Sequence, residues 1–309
     1  MATHVIVGAG PVGTATARLL ADRGDRVLLV SRRGRGPAHP AIERIAADAT
    51  DADRLTALTG SATALYNCAN PAYHRWPTDW PPIASALTTA AARTGAVLVT
   101  AGNLYGYGPV DGPMTERTPE RPNSTKGAVR VRMWAEASAA HRAGRLRATE
   151  VRASDFLGAG AHSVANNLVL PRAATGRPVV VPADPDAPHS WTYVGDLART
   201  LVAVADDERA WGRIWHAPSP PPVSVRRLAE ITASRAGARP PRIIRLPRAA
   251  LTLGGLVNRE VRELREIAYQ FYRPFVLDST ETTAALGVTC TPLDEAIDAT
   301  LDLLPARAG

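Results

Sequence analysis

Short apolar runs alternate with stretches of helical periodicity through the first half of the chain. The run at residues 5–7 predicts a strand, and Val12, Leu19 and Leu20 then recur at helical spacing until Gly24, which can end a helix. Further strands are predicted at residues 27–30, 42–46, 64–68, 97–100 and 148–152, and further helices at residues 53–58, 83–94 and 125–142. Strands separated by helices predict right-handed crossovers, and therefore an α/β fold with a doubly wound parallel sheet of the Rossmann type.

Beyond residue 155 the pattern is less regular and richer in proline. Short strands are predicted at residues 179–181, 214–216 and 243–246, and helices at residues 224–235, 258–271 and 293–303. We therefore expect a Rossmann domain at residues 1–155. A smaller, mixed C-terminal lobe at residues 156–309 would also supply the last Rossmann elements.

Composition narrows the functional classes. With 309 residues, 45% of them hydrophobic, the chain can bury a full core. No apolar run approaches the ~18 residues of a membrane helix, and the first residues show no basic leader, so we expect a cytoplasmic protein with no membrane partner. The net charge of +7 comes from scattered arginines without a basic tail, which argues against a nucleic-acid partner. Cys68 and Cys290 are isolated and match no metal-ligand spacing, so no metal site is predicted.

The first strand leads directly into a G-x-G-x-x-G motif, GAGPVG. Gly8 permits the tight turn, Gly10 lets a pyrophosphate approach the backbone, and Gly13 lets helix and strand pack closely. Pro11 and Val12 would begin the helix whose N-terminus faces the anion. In its strand–turn–helix context this motif predicts a dinucleotide-binding domain.

The end of the second strand indicates which dinucleotide is bound. NAD-binding domains usually place Asp or Glu there, which accepts hydrogen bonds from the ribose hydroxyls. Here Ser31 stands at that position and is followed by Arg32 and Arg33. A hydroxyl and two guanidinium groups can bind a 2′-phosphate that a carboxylate would repel. The predicted cofactor is therefore NADP(H), with an exposed basic loop that binds no ligand as the alternative.

Several further motifs are spread over nearly the whole chain, namely IAADAT, Asn67-Cys68-Ala69, VLVTAGNLYGYGP, VRASDFLGAG and WTYVGDLA. Together with the glycine motif they resemble the extended short-chain dehydrogenase/reductase family, the NAD-dependent epimerase/dehydratase group. The resemblance implies cofactor contacts from Asp48 and Ala49 at the adenine, from Asn67, Ala69 and Asn70 beside the ribose, and from Ala153 and Ser154 near the nicotinamide. It also implies a C-terminal lobe that binds substrate, and a possible homodimer formed through helices of the Rossmann domain.

The catalytic residues of that family are not all present. The family places Ser or Thr four residues before the Tyr of a Tyr-Gly pair, and here Ala101 takes that place with Thr100 beside it. Where the family has Tyr and, four residues later, Lys, this chain has Lys126 and Arg130. A tyrosine acid activated by lysine and assisted by serine therefore cannot operate here in its usual form.

Lys126 is the only lysine among the 36 lysine and arginine residues. Arginine does not release its proton in proteins, whereas a partly desolvated lysine beside a cation, here Arg130, can titrate nearer neutrality. We therefore expect Lys126 to donate a proton or act as an electrophile, the alternative being a lysine that only binds ribose. Tyr105 and Tyr107 are further candidate acids, unless Tyr105 packs beneath its loop as part of a structural Tyr-Gly turn.

Candidate substrate contacts flank the same site. Trp76 and Trp80, in a predicted loop after the fourth strand, would cover the nicotinamide side of the cleft or would anchor the loop. His189 stands where sugar-nucleotide members commonly carry an arginine for the diphosphate, and the glycine motif is one residue shorter than theirs. Both departures weaken an assignment to sugar nucleotides. The other candidates are Asn103, Tyr107, Asp155 and Trp191.

Three functions follow from these observations. We expect an NADP(H)-dependent reductase that delivers hydride to a C=O, C=N or activated C=C bond of a small molecule. The first alternative is a non-redox NADP(H)-binding protein, either a redox sensor or a lyase or cyclase on the same fold. The second alternative is an NAD-dependent sugar-nucleotide epimerase or dehydratase, a reaction for which the family uses the tyrosine that this chain lacks.

Overall fold

The computed structural model describes residues 1–247, 249–251, 256 and 259–303, with the backbone alone for residues 259–261. The strands are β1 (Thr3–Val7), β2 (Arg26–Ser31), β3 (Ile42–Ala46), β4 (Ala64–Asn67), β5 (Val97–Asn103), β6 (Ala148–Ala153), β7 (Asp155–Leu157), β8 (Val179–Val181), β9 (Trp191–Tyr193), β10 (Ile214–His216) and β11 (Ile243–Arg245). The helices are α1 (Pro11–Asp22), α2 (Ala52–Thr59), α3 (Trp76–Thr94), α4 (Thr125–Arg142), α5 (Leu170–Ala173), α6 (Val194–Asp206), α7 (Val225–Arg235), α8 (Arg259–Ile267), α9 (Tyr269–Tyr272), α10 (Thr280–Leu286) and α11 (Leu293–Leu301). No helix in these ranges has the length and apolarity that a membrane crossing needs.

Seven strands form one parallel sheet in the order β3–β2–β1–β4–β5–β6–β10. Val5 and Val7 belong to the core shared with α2, α3 and α4, whereas Ile6 belongs to the core on the opposite face, under α1 and α6. Both faces are therefore covered, which explains why the strands read as continuous apolar runs. The order reverses between β1 and β4, and a doubly wound sheet opens a crevice at the carboxyl ends of its strands at such a point. The predicted fold class is confirmed.

The second half of the chain adds two short parallel pairs, β7 with β9 and β8 with β11. They surround a third core that includes Trp191, Leu228 and Ile297. The same half also supplies β10, which pairs with β6 at the edge of the main sheet, and α6, which packs on α1. The C-terminal part is thus attached to the Rossmann part along several elements and stands over the carboxyl ends of its strands.

Some elements differ from the sequence prediction. The predicted helix at 83–94 begins at Trp76, because Pro77 occupies the first turn, where no backbone N–H is needed, and the helix continues through Pro81 and Pro82. Trp76 and Trp80 are therefore buried helical residues, and the predicted loop is wrong. The predicted helix at 258–271 is divided into α8 and α9, and its first residue lies outside the described residues. The strands and helices named above that the pattern does not predict are β7, β9, α5, α6 and α10.

The turn after β1 depends on two positions without a side chain. Gly8 has a φ of +113°, and a Cβ there would lie 2.4 Å from the carbonyl oxygen of Cys68. A Cβ on Gly13 would lie 1.8 Å from the carbonyl oxygen of Gly8. Gly10, the N-cap of α1, has extended backbone angles, and a Cβ there would meet nothing within 4 Å. Gly8 and Gly13 therefore allow the packing of the turn, whereas Gly10 leaves open space beside the helix N-terminus.

An ion-pair cluster around the buried side chain of Lys126 joins α4 to the C-terminal part. Ser124 caps α4 by accepting a hydrogen bond from the N–H of Gly127 at 3.0 Å. Lys126 Nζ, whose side chain is 2% exposed, donates to Glu263 Oε2 at 2.7 Å and to Glu266 Oε2, and the Lys126 N–H donates to Glu266 Oε1 at 3.0 Å. The positive end of the α4 dipole adds to the attraction for the Glu266 carboxylate. These contacts fix α8 against the first turn of α4.

The pKa of Glu266 shows the balance of these forces. Burial raises the pKa of this carboxyl, but hydrogen bonds from the Lys126 side chain and backbone, and the charge of Lys126, outweigh burial. The pKa of Glu266 therefore lies below its ordinary value. A carboxyl with a lowered pKa stabilises the folded state at pH values above its unfolded pKa, and this stabilisation is lost as the pH falls through the folded pKa.

Replacing Gly13 with alanine should reduce the free energy of unfolding by more than the ~1–3 kcal/mol typical of an overpacked core, because the new Cβ meets backbone that cannot move alone. Gly10→Ala is the matched control and should cost less than ~1 kcal/mol, since its Cβ enters open space. Urea unfolding of both variants measures the difference. Equal stabilities would show that the turn does not have this geometry.

Replacing Glu266 with glutamine should lower the free energy of unfolding by about 1–3 kcal/mol at neutral pH, the usual worth of hydrogen bonds to charged groups. The difference from the unmodified protein should shrink below about pH 4.3, where glutamate in the unfolded chain becomes protonated. Urea unfolding at a series of pH values measures it. Glu43→Gln, which removes an exposed partner of Arg26, is the control and should cost less than ~1 kcal/mol. If Glu266→Gln loses no more unfolding free energy than Glu43→Gln at every pH, the Lys126–Glu266 interaction does not stabilise the fold as described.

Candidate active site

A pocket opens where the carboxyl ends of the central strands meet the C-terminal part, with a cavity volume of about 150 Å³ within an open space of about 920 Å³ that is continuous with solvent. Its Rossmann wall is formed by Gly10, Pro11, Val12, Cys68, Ala69, Asn70, Ala101, Gly102, Asn103, Ala153 and Ser154. Its other wall is formed by Tyr73, Trp76, Leu104, Tyr105, Arg130, Asp155, Phe156, Ala161, His162, Gln270 and Phe275. The pocket is therefore lined both by the glycine turn and by polar and aromatic side chains.

The glycine-turn end of the pocket fits a dinucleotide pyrophosphate. Gly10 is the N-cap of α1 and supplies no side-chain cap, and the first turn of the helix carries no acidic residue. The first N–H groups of a helix lack intrahelical partners and face its positive end, which favours an anion. The open space at the missing Cβ of Gly10 lets such an anion approach the backbone. Pro11 and Val12 line the pocket directly after it.

The end of β2 carries no carboxylate. Ser31 Oγ accepts a hydrogen bond from the Arg35 N–H at 2.9 Å, and the side chains of Arg32 and Arg33 are exposed. Asp48 accepts hydrogen bonds from the N–H and the hydroxyl of Thr50, and these bonds lower the pKa of Asp48, with the charge of Arg32 adding to the effect. Arg32 therefore lies on the Asp48 side of the loop, within electrostatic range of that carboxylate.

The other predicted cofactor residues divide into two groups. Ala69, Asn70, Ala153 and Ser154 line the pocket, whereas Ala49 does not. Asn67 is buried, its Oδ1 accepts from the Ala69 N–H at 3.3 Å, and it lines a second, smaller cavity together with the predicted Thr100. The Oγ of Ser154 is buried without a hydrogen-bond partner in the described residues. An unpartnered buried hydroxyl at a pocket wall is available to a bound molecule.

Two tyrosines meet on the far wall. The hydroxyl oxygens of Tyr73 and Tyr105 are 2.9 Å apart, and both side chains line the pocket. Burial raises the pKa of Tyr105 well above its ordinary value and raises that of Tyr73. Both phenols therefore stay protonated at neutral pH and serve as hydrogen-bond donors. Tyr73 is absent from the sequence prediction, although its position shortly after β4 resembles that of the tryptophans that were predicted.

The two predicted cations occupy different places. Arg130 lines the pocket, its guanidinium lies 4.7 Å from the Trp76 ring centre and 4.4 Å from that of Trp80, and it donates to the Ala101 carbonyl oxygen at 3.3 Å. Burial lowers the pKa of Arg130 to about 10, so it stays charged at neutral pH. Lys126 does not line the pocket; its ammonium is 5.6 Å from the Tyr73 ring centre and bonded to its two carboxylates. The proton-donating role of Lys126 stays a prediction.

Asp155 and His189 form a pair at the pocket wall. His189 Nε2 lies 2.8 Å from Asp155 Oδ2, and His189 Nδ1 lies 3.2 Å from the Gln270 carbonyl oxygen. The imidazole stacks on Phe271 and Phe275, each at 5.3 Å between ring centres. Of the pair only Asp155 lines the pocket, so His189 supports it from behind.

The remaining predicted substrate contacts are also divided. Trp76 and Asn103 line the pocket. Tyr107 is fully buried outside it and its hydroxyl lies 2.8 Å from His216 Nε2. Trp191 is buried in the C-terminal core and donates to the Val223 carbonyl oxygen at 3.0 Å. The sequence prediction omits His162, Gln270 and Phe275, because no local motif marks residues that reach the pocket from distant segments.

Comparisons with known proteins agree with this architecture. A model of the NAD dependent epimerase/dehydratase family matches residues 4–216, and no curated protein matches the chain. The structure of UDP-glucose 4-epimerase from Thermotoga maritima superposes with a TM-score of 0.80 at 16% identity, covering 97% of this chain and 98% of that one. dTDP-glucose 4,6-dehydratase from Bacillus anthracis, in complex with NAD, gives 0.79 at 13% identity over 98% and 96% of the two chains. The enzyme WbmH from Bordetella bronchiseptica, in complex with NAD⁺, gives 0.76 at 20% identity over 99% of both.

At these identities the structural likeness shows the fold alone. The family model covers more than half of the chain, and it includes the glycine turn and all seven strands of the central sheet. The chain belongs to the NAD-dependent epimerase/dehydratase family.

Proposed function

We propose that this protein is an enzyme that transfers hydride between NADP(H) and a small molecule, acting as a reductase of a C=O, C=N or activated C=C bond. One observation carries the proposal. A single pocket is lined both by the open N-terminus of α1 and by Tyr105, Arg130 and Asp155. A dinucleotide bound by its pyrophosphate at Gly10 would therefore extend toward side chains that can bind and polarise a substrate.

The nicotinamide ring, when bound, would supply or accept the hydride. Arg130 would stabilise negative charge that develops on a substrate oxygen, because its guanidinium is charged and buried at the pocket wall. Tyr105 would donate a hydrogen bond to the same oxygen, since its raised pKa keeps the phenol protonated. Trp76 and Phe275 would exclude water from the reacting atoms.

The end of β2 supports NADP(H) over NAD(H). Ser31 stands where a carboxylate would bind the ribose hydroxyls of NAD, and Arg32 and Arg33 are exposed beside it. Arg32 already acts electrostatically on Asp48, so its charge is available on the adenosine side of the site. A 2′-phosphate would meet two guanidinium groups there.

A second candidate is an NAD-dependent sugar-nucleotide epimerase or dehydratase. It is favoured by the family match and by two structural neighbours that are named as a UDP-glucose 4-epimerase and a dTDP-glucose 4,6-dehydratase. The dehydratase and WbmH each contain NAD. Such an enzyme returns the hydride to its substrate and therefore needs no second redox substrate. NAD found in the purified protein after denaturation would support this candidate over the first.

Thermal unfolding with NADPH, NADP⁺, NADH and NAD⁺ separately tests the cofactor. A ligand at a hundred times its Kd stabilises the folded state by about 2.7 kcal/mol, so the melting temperature should rise by several degrees with NADPH or NADP⁺ and less with the other two. Arg32→Ala should remove the preference for the phosphorylated pair. Arg18→Ala, an exposed arginine of α1, is the matched control and should keep it. The proposal is wrong if none of the four dinucleotides raises the melting temperature.

A further inference from the structure

In the Asp155–His189 pair, the hydrogen-bond partners of both imidazole nitrogens indicate where the protons lie. A histidine that is neutral carries a proton on only one ring nitrogen. Here Nδ1 faces the carbonyl oxygen of Gln270 at 3.2 Å and Nε2 faces a carboxylate oxygen of Asp155 at 2.8 Å. A carbonyl oxygen can only accept, so Nδ1 carries a proton, and a second proton must lie between Nε2 and Oδ2.

The surroundings hold the imidazole in this orientation. The His189 carbonyl oxygen accepts from the Val223 N–H at 3.0 Å, and the neighbouring residues on each side of His189 exchange hydrogen bonds with the Phe275 backbone at 2.9 Å. Phe271 and Phe275 stack on the ring, and the side chain of His189 is 4% exposed. The ring cannot turn away from Asp155 without breaking this packing.

The other oxygen of Asp155 is free for a bound molecule. Among the described residues Oδ1 has no hydrogen-bond partner, and the side chain is 14% exposed, at the pocket wall. The hydroxyl groups of Tyr73, Tyr105 and Tyr269 are near enough for the charge of Asp155 to help raise their pKa values, after the larger effect of burial. A carboxylate therefore faces a pocket in which every nearby phenol keeps its proton.

We propose that Asp155 is the catalytic residue that exchanges a proton with the substrate. His189 is the positioning residue, which holds the Asp155 carboxylate in place and shares a proton with its Oδ2. This inference rests on the proposed function, because the proton is transferred together with the hydride that the dinucleotide supplies or accepts in that function. In the oxidising direction a substrate hydroxyl gives its proton to Asp155 Oδ1. The substrate O–H bond breaks, an O–H bond forms on Asp155, and the electron pair left on the substrate oxygen forms the C=O bond as hydride departs. In the reducing direction the same proton returns to the substrate oxygen.

The substrate class follows from this assignment. Tyr105 is a donor and Asp155 is an acceptor; both line the pocket, and the charge of Asp155 acts on the Tyr105 phenol. Together they complement a secondary alcohol and its ketone, of which the alcohol donates and the ketone accepts. Arg130 is the cation that compensates the charge on the oxygen during the exchange.

The first test is the ring-nitrogen spectrum of the ¹⁵N-histidine-labelled protein, with the His189 signals identified by their loss in His189→Gln. The proposal predicts protons on, or shared by, both ring nitrogens of His189. Asp155→Asn should convert the ring to the form protonated at Nδ1 alone, because the asparagine amide donates to Nε2. A bare Nε2 in the unmodified protein overturns the proposal.

The second test separates this proposal from the proposed function. Asp155→Asn should keep the thermal shift with NADPH, which shows that the fold and the dinucleotide site are intact. On any alcohol or ketone of a screening panel that the unmodified protein converts with NADP⁺ or NADPH, it should lose ~10²–10⁴-fold in kcat, the usual contribution of acid–base catalysis. Full activity of Asp155→Asn overturns the role of Asp155. A panel without any turnover counts against the proposed function, and the nitrogen spectrum then decides about the pair.

Discussion

The close contact between the glycine turn and the strand ends is the constraint on which the rest of the site depends. No side chain fits at Gly8, where a Cβ would lie 2.4 Å from Cys68, or at Gly13, where it would lie 1.8 Å from Gly8. Only backbone without side chains can bring α1 this close to β1 and β4. The result is a helix N-terminus that opens into the pocket at the point where the strand order reverses. The residues on the other wall of the pocket can act on a substrate only if this contact places a dinucleotide opposite them.

The polar groups around the pocket have separate tasks. Lys126 is paired with Glu263 and Glu266 and ties α8 to α4, while Arg130 stands one helical turn further and brings its charge to the pocket wall. Burial raises the pKa values of the pocket tyrosines Tyr73 and Tyr105, and the charge of Asp155 adds to the effect. Asp155, supported by His189, is the pocket-lining group placed to exchange a proton.

The sequence predicts the parts of the structure that local patterns specify. Apolar runs and helical spacing predict the central sheet, and the glycine motif predicts its turn, because both depend on neighbouring residues. Tertiary contacts are invisible to such patterns: Glu266 reaches Lys126 across 140 positions and His189 reaches Asp155 across 34. The same limit explains the omission of Gln270 and Phe275. The sequence pattern predicts a loop at Trp76 because the prolines after it suppress the helical signal, although the first turn of a helix accepts proline.

The most direct test of the account is a crystal structure of the protein grown with NADPH. We expect the pyrophosphate at the N–H groups that follow Gly10, the 2′-phosphate beside Arg32 and Arg33, and the nicotinamide ring against Ser154 and Asp155. A dinucleotide bound with its nicotinamide away from Asp155, or a pocket occupied by NADPH in the reverse orientation, would contradict it.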